Sequence, residues 1–132
     1  MKILRSIVAI VGGWFAMALP IIAAFFVWVL RYGDPTETGV FPGTGFLLFQ
    51  VGLGFLSAIL GGFVAALLAP SRPLLHVLAL VVIGWFLAFV SMVFSSNMAT
   101  GEEPIWFQLS NPVVMLFGMP LGGWLLVSRR SP

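Results

Sequence analysis

Few side chains in this sequence could take part in acid–base, nucleophilic or metal chemistry. His76 is the only histidine and cysteine is absent, so neither an imidazole cluster nor a thiolate site can hold a metal. One histidine with no carboxylate near it in sequence does not by itself make a catalytic triad. Glu102 and Glu103 are adjacent in a loop, where neighbouring side chains point apart into solvent. We therefore expect no catalytic residue, no cofactor and no metal, and we predict that the protein is not an enzyme.

Arg72 and His76 are the residues with the best claim to a binding role. They lie four apart at a Pro-Ser-Arg-Pro turn that precedes an apolar segment, and Pro73 is suited to the first turn of a helix. One interpretation is that His76 anchors the turn or hydrogen-bonds a neighbouring helix. The other is that both residues bind an anionic lipid head group or an acidic partner, helped by the helix N-terminus.

The composition indicates the environment in which these residues must work. Hydrophobic residues make up 61% of the 132 residues and charged residues only 8%, against about 25% charged in ordinary globular proteins. The polar residues are too few to cover the surface of a soluble domain. We therefore predict an integral membrane protein with membrane lipids as partners. The basic residues are too sparse and scattered for nucleic acid, and we expect no such partner.

Four apolar segments, at about 6–30, 46–69, 74–94 and 112–128, are candidate membrane spans. They predict an all-α fold in which one domain forms an integral membrane bundle of four antiparallel transmembrane helices. The basic start and the small residues near position 17 leave a cleaved signal peptide as an alternative for the first segment, but its apolar run is long enough to span. Pro20 should kink this helix.

The start of the fourth helix has two interpretations. A helix from Pro112 would be only about 24 Å long, with a short interfacial helix at Glu102–Leu109 before it. The alternative is a single helix that begins at Pro104 and is kinked at Pro112. Thr100 and Glu103 have the spacing of a capping box.

Charge predicts the orientation of the bundle. Trp28 and Tyr32 lie where the first helix should leave the bilayer, as in an aromatic belt. With four spans, one face collects basic residues only, and the positive-inside rule then puts both termini in the cytoplasm. The basic face carries Lys2, Arg5, Arg72, Arg129 and Arg130, whereas the opposite face carries Arg31, Asp34, Glu37, Glu102 and Glu103.

Small residues recur every four positions along the second span, and spacing of this kind allows helix backbones to pack closely in a membrane. We favour packing within the chain, with association between chains as the alternative. The fourth span adds a GxxxG motif. The predicted packing residues are Gly54, Ala58, Gly62 and Ala66 on one stripe, Ser57, Gly61, Ala65 and Ala69 on the next, and Gly118 and Gly122 in the motif.

Ionisable side chains are absent at midplane depth, which counts against a proton-coupled exporter and an acidic cation channel. The first functional hypothesis is therefore a non-catalytic membrane protein that associates laterally, as a homo-oligomer or within a larger membrane complex. The alternative is an oligomeric carrier or channel for small neutral solutes. Its route would be lined by Gln50, Ser57 and the kink at Pro20. The other interpretation of Gln50 is that it hydrogen-bonds a neighbouring helix.

Three segments carry a family resemblance: MKILRS at the start, GGFVAALLAPSRPLLHVLAL at Gly61 to Leu80, and FGMPLGGWL at Phe117 to Leu125. Together they resemble a family of small, uncharacterised four-helix proteins of the bacterial inner membrane. Such proteins often carry a basic residue just before the Ala-Pro pair, and this chain lacks it, which leaves Arg72 as the only charge in the turn. The resemblance implies a four-helix membrane fold and supplies no catalytic residue.

Overall fold

The computed structural model describes residues 1–38, 42–97 and 104–130, and this part of the chain is helical with short connections. The long helices are α1, Lys2–Tyr32; α3, Thr44–Leu68; α4, Pro73–Asn97; and α5, Ile105–Arg130. A single turn, α2, Pro35–Thr38, lies between α1 and α3. We call the end with Met1, the 70–73 turn and Arg130 the terminal end, and the opposite end, with α2, the loop end.

Each long helix has the length and composition of a membrane span. Within the described residues four helices qualify, and large apolar side chains such as Phe26, Leu56, Phe86 and Phe117 are exposed along them. An apolar exterior at membrane depth suits lipid as the solvent, and helices satisfy their own backbone hydrogen bonds there. The predicted all-helical bundle of four membrane-length helices is confirmed, and the protein is a multi-pass membrane protein.

The fourth span differs from the start predicted at Pro112. α5 begins at Ile105 and continues through both Pro112 and Pro120 to Arg130, as in the alternative of one helix from Pro104. No separate interfacial helix occurs in the described part of this segment. The capping box at Thr100 and Glu103 lies outside the described residues, and so does the carboxylate pair.

α3 is the central helix and makes its most extensive contacts with α1 and α5. A Cβ placed on Gly62 would overlap the carbonyl oxygen of Met119, and one placed on Gly122 would overlap that of Ile59. The stripe that includes Gly62 therefore packs against α5. Its other described members, Gly54, Ala58 and Ala66, are buried, as is Gly118.

The adjacent stripe on α3 packs against α1. The position of a Cβ on Gly61 lies 2.8 Å from the carbonyl oxygen of Gly13, and that of a Cβ on Gly13 lies 2.8 Å from Cβ of Ala65. Both small-residue stripes are thus used inside the chain, with Ala69 at the C-cap of α3. Gly13, in the Gly12–Gly13 pair of α1, is a packing residue that was not among those predicted.

Trp28 faces the interior of the bundle, whereas a residue of an aromatic belt would face the lipid interface. It is buried, with its ring 5.2 Å from that of Tyr32 and 5.8 Å from that of Phe46. Large aromatic surfaces at the loop end therefore join α1 to the first turn of α3, where the small-residue stripes have not yet begun. Tyr32 itself remains exposed at the helix end, as predicted for an interfacial residue.

Candidate functional site

A cleft of about 380 Å³ lies in the half of the bundle nearer the loop end, between α1, α4 and α5. Its volume is within the range of small-molecule sites, roughly 300 to 1,000 Å³. α1 lines it from Trp14 to Ile22, α4 from Gly84 to Met92, and α5 from Gln108 to Met115. At 1.5 Å per residue, the α1 wall is about 12 Å long.

The polar side chains of the cleft are gathered at its loop end. Ser91 lies in the last two turns of α4, and Gln108 and Asn111 lie in the first two turns of α5. Towards the middle of the bundle the walls are apolar, with Met17, Gly84 and Met115 among them. Among the described residues, no charged side chain lines the cleft. The site offers hydrogen bonds at one end and apolar contact along the rest.

The cleft is closed towards the terminal end because α1 and α4 meet there. Nε2 of His76 lies 2.9 Å from Oγ of Ser6. A second contact joins Leu80, one turn after His76, to Gly13, two turns after Ser6. Cδ2 of Leu80 lies 3.0 Å from the Cβ position of Gly13. The two helices therefore touch in the terminal half and are separated by the cleft in the other half.

His76 is thus engaged within the chain. The Ser6 hydroxyl donates its proton to the Lys2 carbonyl oxygen at 3.1 Å, so in the contact with Ser6 the donor is Nε2 of the imidazole. Nδ1 lies 3.3 Å from the carbonyl oxygen of Arg72. A neutral imidazole has only one N–H, so this second contact is a hydrogen bond when the ring carries both protons. The structure gives His76 the interhelical hydrogen bond that was one of its two interpretations.

Arg72 has an unusual backbone conformation. Its φ is 46°, which makes it the only non-glycine residue with positive φ among those described. Left-handed backbone at a residue with a Cβ costs about 1–2 kcal/mol. It directs the Arg72 carbonyl oxygen towards the start of α4, where it accepts from the Leu75 N–H at 3.0 Å. The Arg72 side chain is exposed, and its binding to an anionic lipid stays a prediction.

Two polar atoms in the centre of the bundle lack a hydrogen-bond partner. Oε1 of Gln50 and Oγ of Ser57 are buried on α3, and no described residue bonds to either. The residues are 8% and 2% exposed, and seven positions apart they share one face of the helix. An unsatisfied buried polar atom is unfavourable by about 1–3 kcal/mol.

Two residues near the cleft have roles that were not predicted from the sequence. Asn111 lies inside α5, just before Pro112, and lines the cleft. Trp85 donates from Nε1 to the Pro112 carbonyl oxygen at 3.0 Å and so joins α4 to α5. The available signal was the spacing of Gln108 and Asn111, since three positions apart they share a face of an apolar helix.

No family model, curated protein or solved structure matches this chain. Within the described residues, no group of three His, Cys, Asp or Glu side chains could hold a metal ion.

Proposed function

We propose that this protein binds small uncharged molecules in the cleft between α1, α4 and α5 and carries them through the membrane. The observation that supports this is a cleft of ligand size whose polar side chains, Ser91, Gln108 and Asn111, converge at one end of an apolar bundle. A lining without charge favours a neutral solute, because a buried ion would have no partner there.

Gln50 and Ser57 are two further polar residues in the interior of the bundle, on α3 and not on the helices that line the cleft. Their unpartnered oxygens lie on the face of α3 that is packed inside the molecule. A solute hydroxyl or a water would form hydrogen bonds with them. We infer that a solute passes these two oxygens after the polar residues of the cleft. A solute route past these two residues was also the prediction from the sequence.

Erythritol flux into vesicles that contain the purified protein, followed by light scattering, tests this function. Asn111→Leu and Gln50→Leu should each slow the protein-dependent flux, roughly threefold to tenfold for one hydrogen bond lost. Ser110→Ala is the matched control, because the Ser110 hydroxyl bonds the Phe107 carbonyl oxygen of its own helix at 2.6 Å. Flux no greater than in empty vesicles, or equal flux in all variants, would overturn the proposal.

The orientation we propose places both termini in the cytoplasm of a bacterial cell, with the protein in the inner membrane. Its support is the basic terminal end, where Lys2, Arg5, Arg72, Arg129 and Arg130 are exposed, together with the positive-inside rule. The chain has no cysteine, so in a single-cysteine variant only the introduced thiol can be labelled. In intact cells an impermeant maleimide should label Glu37→Cys and spare Ser71→Cys; the reverse pattern would contradict this topology.

Lateral association is a second candidate function, although the buried small-residue stripes are not free to support it. Two other glycines do so: Gly45 and Gly52 lie seven positions apart on the exposed side of α3, with no atom within 4 Å of a Cβ on either. A second helix could approach the backbone closely there. The mass of the complex in native lipid discs should exceed that of one chain and fall with Gly52→Ile. A single chain in the discs would contradict association.

A further inference from the structure

The cleft is open to the side, between α1 and α4. Its α1 and α4 edges carry Trp14, Ile22, Leu87 and Met92, which are 36–59% exposed at membrane depth. α1 and α4 are joined nearer the terminal end, at Ser6–His76 and Gly13–Leu80. The opening between the helices therefore faces the lipid of the leaflet at the loop end.

The walls of the cleft are graded in polarity along the membrane normal. Ser91, Gln108 and Asn111 lie near the loop end, and Met17, Gly84 and Met115 lie nearer the middle of the bundle. The walls extend for about 12 Å, close to half of a hydrocarbon core of about 30 Å. This distribution matches a molecule with a polar head and an apolar tail that lies parallel to the lipids.

We propose that the ligand of the cleft is an amphipathic molecule with an uncharged, hydrogen-bonding head and an apolar tail, which enters sideways between α1 and α4. This inference rests on the proposed function, because it assigns a class of ligand to the same cleft. The head would be bonded by Asn111, Gln108 and Ser91. The tail would lie against Met17 and its neighbours, where a solute without a tail would leave apolar surface uncovered.

Three probes separate the parts of this proposal: monolauroylglycerol, which has a neutral head and a tail; lauric acid, with the same tail and a charged head; and erythritol, which has no tail. The full-length protein in phosphatidylcholine vesicles is incubated with either lipid, and bound lipid is measured by native mass spectrometry. We expect saturable retention of monolauroylglycerol and at least about tenfold weaker retention of lauric acid, since the cleft offers its carboxylate no counter-charge.

Two variants test the cleft by different means. Asn111→Leu should lower monolauroylglycerol retention roughly threefold to tenfold through loss of a hydrogen bond. Ala88→Phe leaves every polar residue in place and should lower retention by filling the space between α1 and α4. Ser110→Ala should bind like the original chain, and the helical circular dichroism of each variant checks that it is folded.

Equal retention in all variants would mean that the lipid adheres to the outside of the bundle, and equal retention of lauric acid would mean that the head need not be neutral. Either result overturns the inference. Erythritol flux that depends on Asn111, without retention of monolauroylglycerol, would overturn the inference and leave the carrier function standing. Absence of both flux and retention would overturn the two together.

Discussion

Gly62 and Gly122 have no side chain, and this allows the backbones of α3 and α5 to come into contact. Each glycine lies against a carbonyl oxygen of the other helix, Met119 and Ile59 respectively. Close approach of this kind is the basis of helix association in lipid, where burial of apolar surface gives little net drive. The packing energy of the bundle is therefore concentrated at a few residues without side chains.

Gly122→Ala should lower the free energy of unfolding by about 1–3 kcal/mol, because the new methyl group has to push two backbones apart. Gly52→Ala is the matched control: nothing lies within 4 Å of its Cβ position, and alanine has the higher helix propensity, so a gain of up to about 1 kcal/mol is expected. Unfolding in mixed detergent micelles measures both. Equal effects of the two substitutions would mean that α3 and α5 are not in backbone contact.

Arg72→Gly should stabilise the protein by about 0.5–1 kcal/mol in the same assay. Glycine relieves the strain of the left-handed backbone at φ 46°, although part of the gain is lost because the unfolded chain becomes more flexible. Ser71→Gly is the control, since Ser71 is not in that conformation and should only lose stability. A loss at Arg72 as large as at Ser71 would show that the arginine side chain stabilises the turn.

At the scale of elements, the pairing of α1 with α4 depends on few contacts. The imidazole of His76 and the Ser6 hydroxyl form the side-chain hydrogen bond between these helices in the described part of the chain. α4 otherwise packs chiefly on α5, to which Trp85 also bonds. This hydrogen bond therefore joins α1 to α4 at the terminal end, and it does not hold the two helices together at the loop end, where the cleft lies.

A double-mutant cycle with Ser6→Ala and His76→Ala should give a coupling energy of about 0.6 kcal/mol, the average for hydrogen bonds between membrane helices. Ser128→Ala, which removes a hydroxyl bonded to the Leu125 carbonyl oxygen within α5, should show no coupling to His76→Ala. Unfolding in micelles supplies the four free energies for each cycle. Additive effects of Ser6 and His76 would mean that α1 and α4 are not joined there.

At the scale of the whole molecule, charge is confined to the two ends. The sequence has no Asp, Glu, Lys or Arg in any of the four spans, at 6–30, 44–69, 73–97 and 104–128. A charge that moves across the membrane contributes about 2.3 kcal/mol per 100 mV, and this bundle has no such charge to move. Transport through it should therefore not sense the membrane potential.

We accordingly expect erythritol flux in protein-containing vesicles to be unchanged when a potassium diffusion potential of about 100 mV is imposed with valinomycin. Vesicles without protein correct for leak, and Asn111→Leu vesicles identify the part of the flux that passes through the cleft. A change of more than about twofold in that part would show that an ion or a charged side chain moves with the solute.

Composition and local spacing were enough to predict the membrane, the four long helices and the residues of α3 that pack closely, because each of these depends on a stretch of about twenty residues and its solvent. The continuous helix through Pro112 was one of two alternatives, since an internal proline is tolerated only where its surroundings compensate.

Which helices meet was decided by the tertiary structure. Gly13 opposite Gly61, Trp85 on the Pro112 carbonyl oxygen and Ser6 on His76 join residues between 27 and 70 positions apart in the chain, and no local pattern specifies such pairs. The cleft arises in the same way. In the sequence Asn111 is a polar residue in an apolar helix, and it lines a cleft because α1 and α4 touch at the terminal end and are separated towards the loop end. The sequence alone determined what kind of surface each helix offers, and only packing in three dimensions decided which of those surfaces enclose a space.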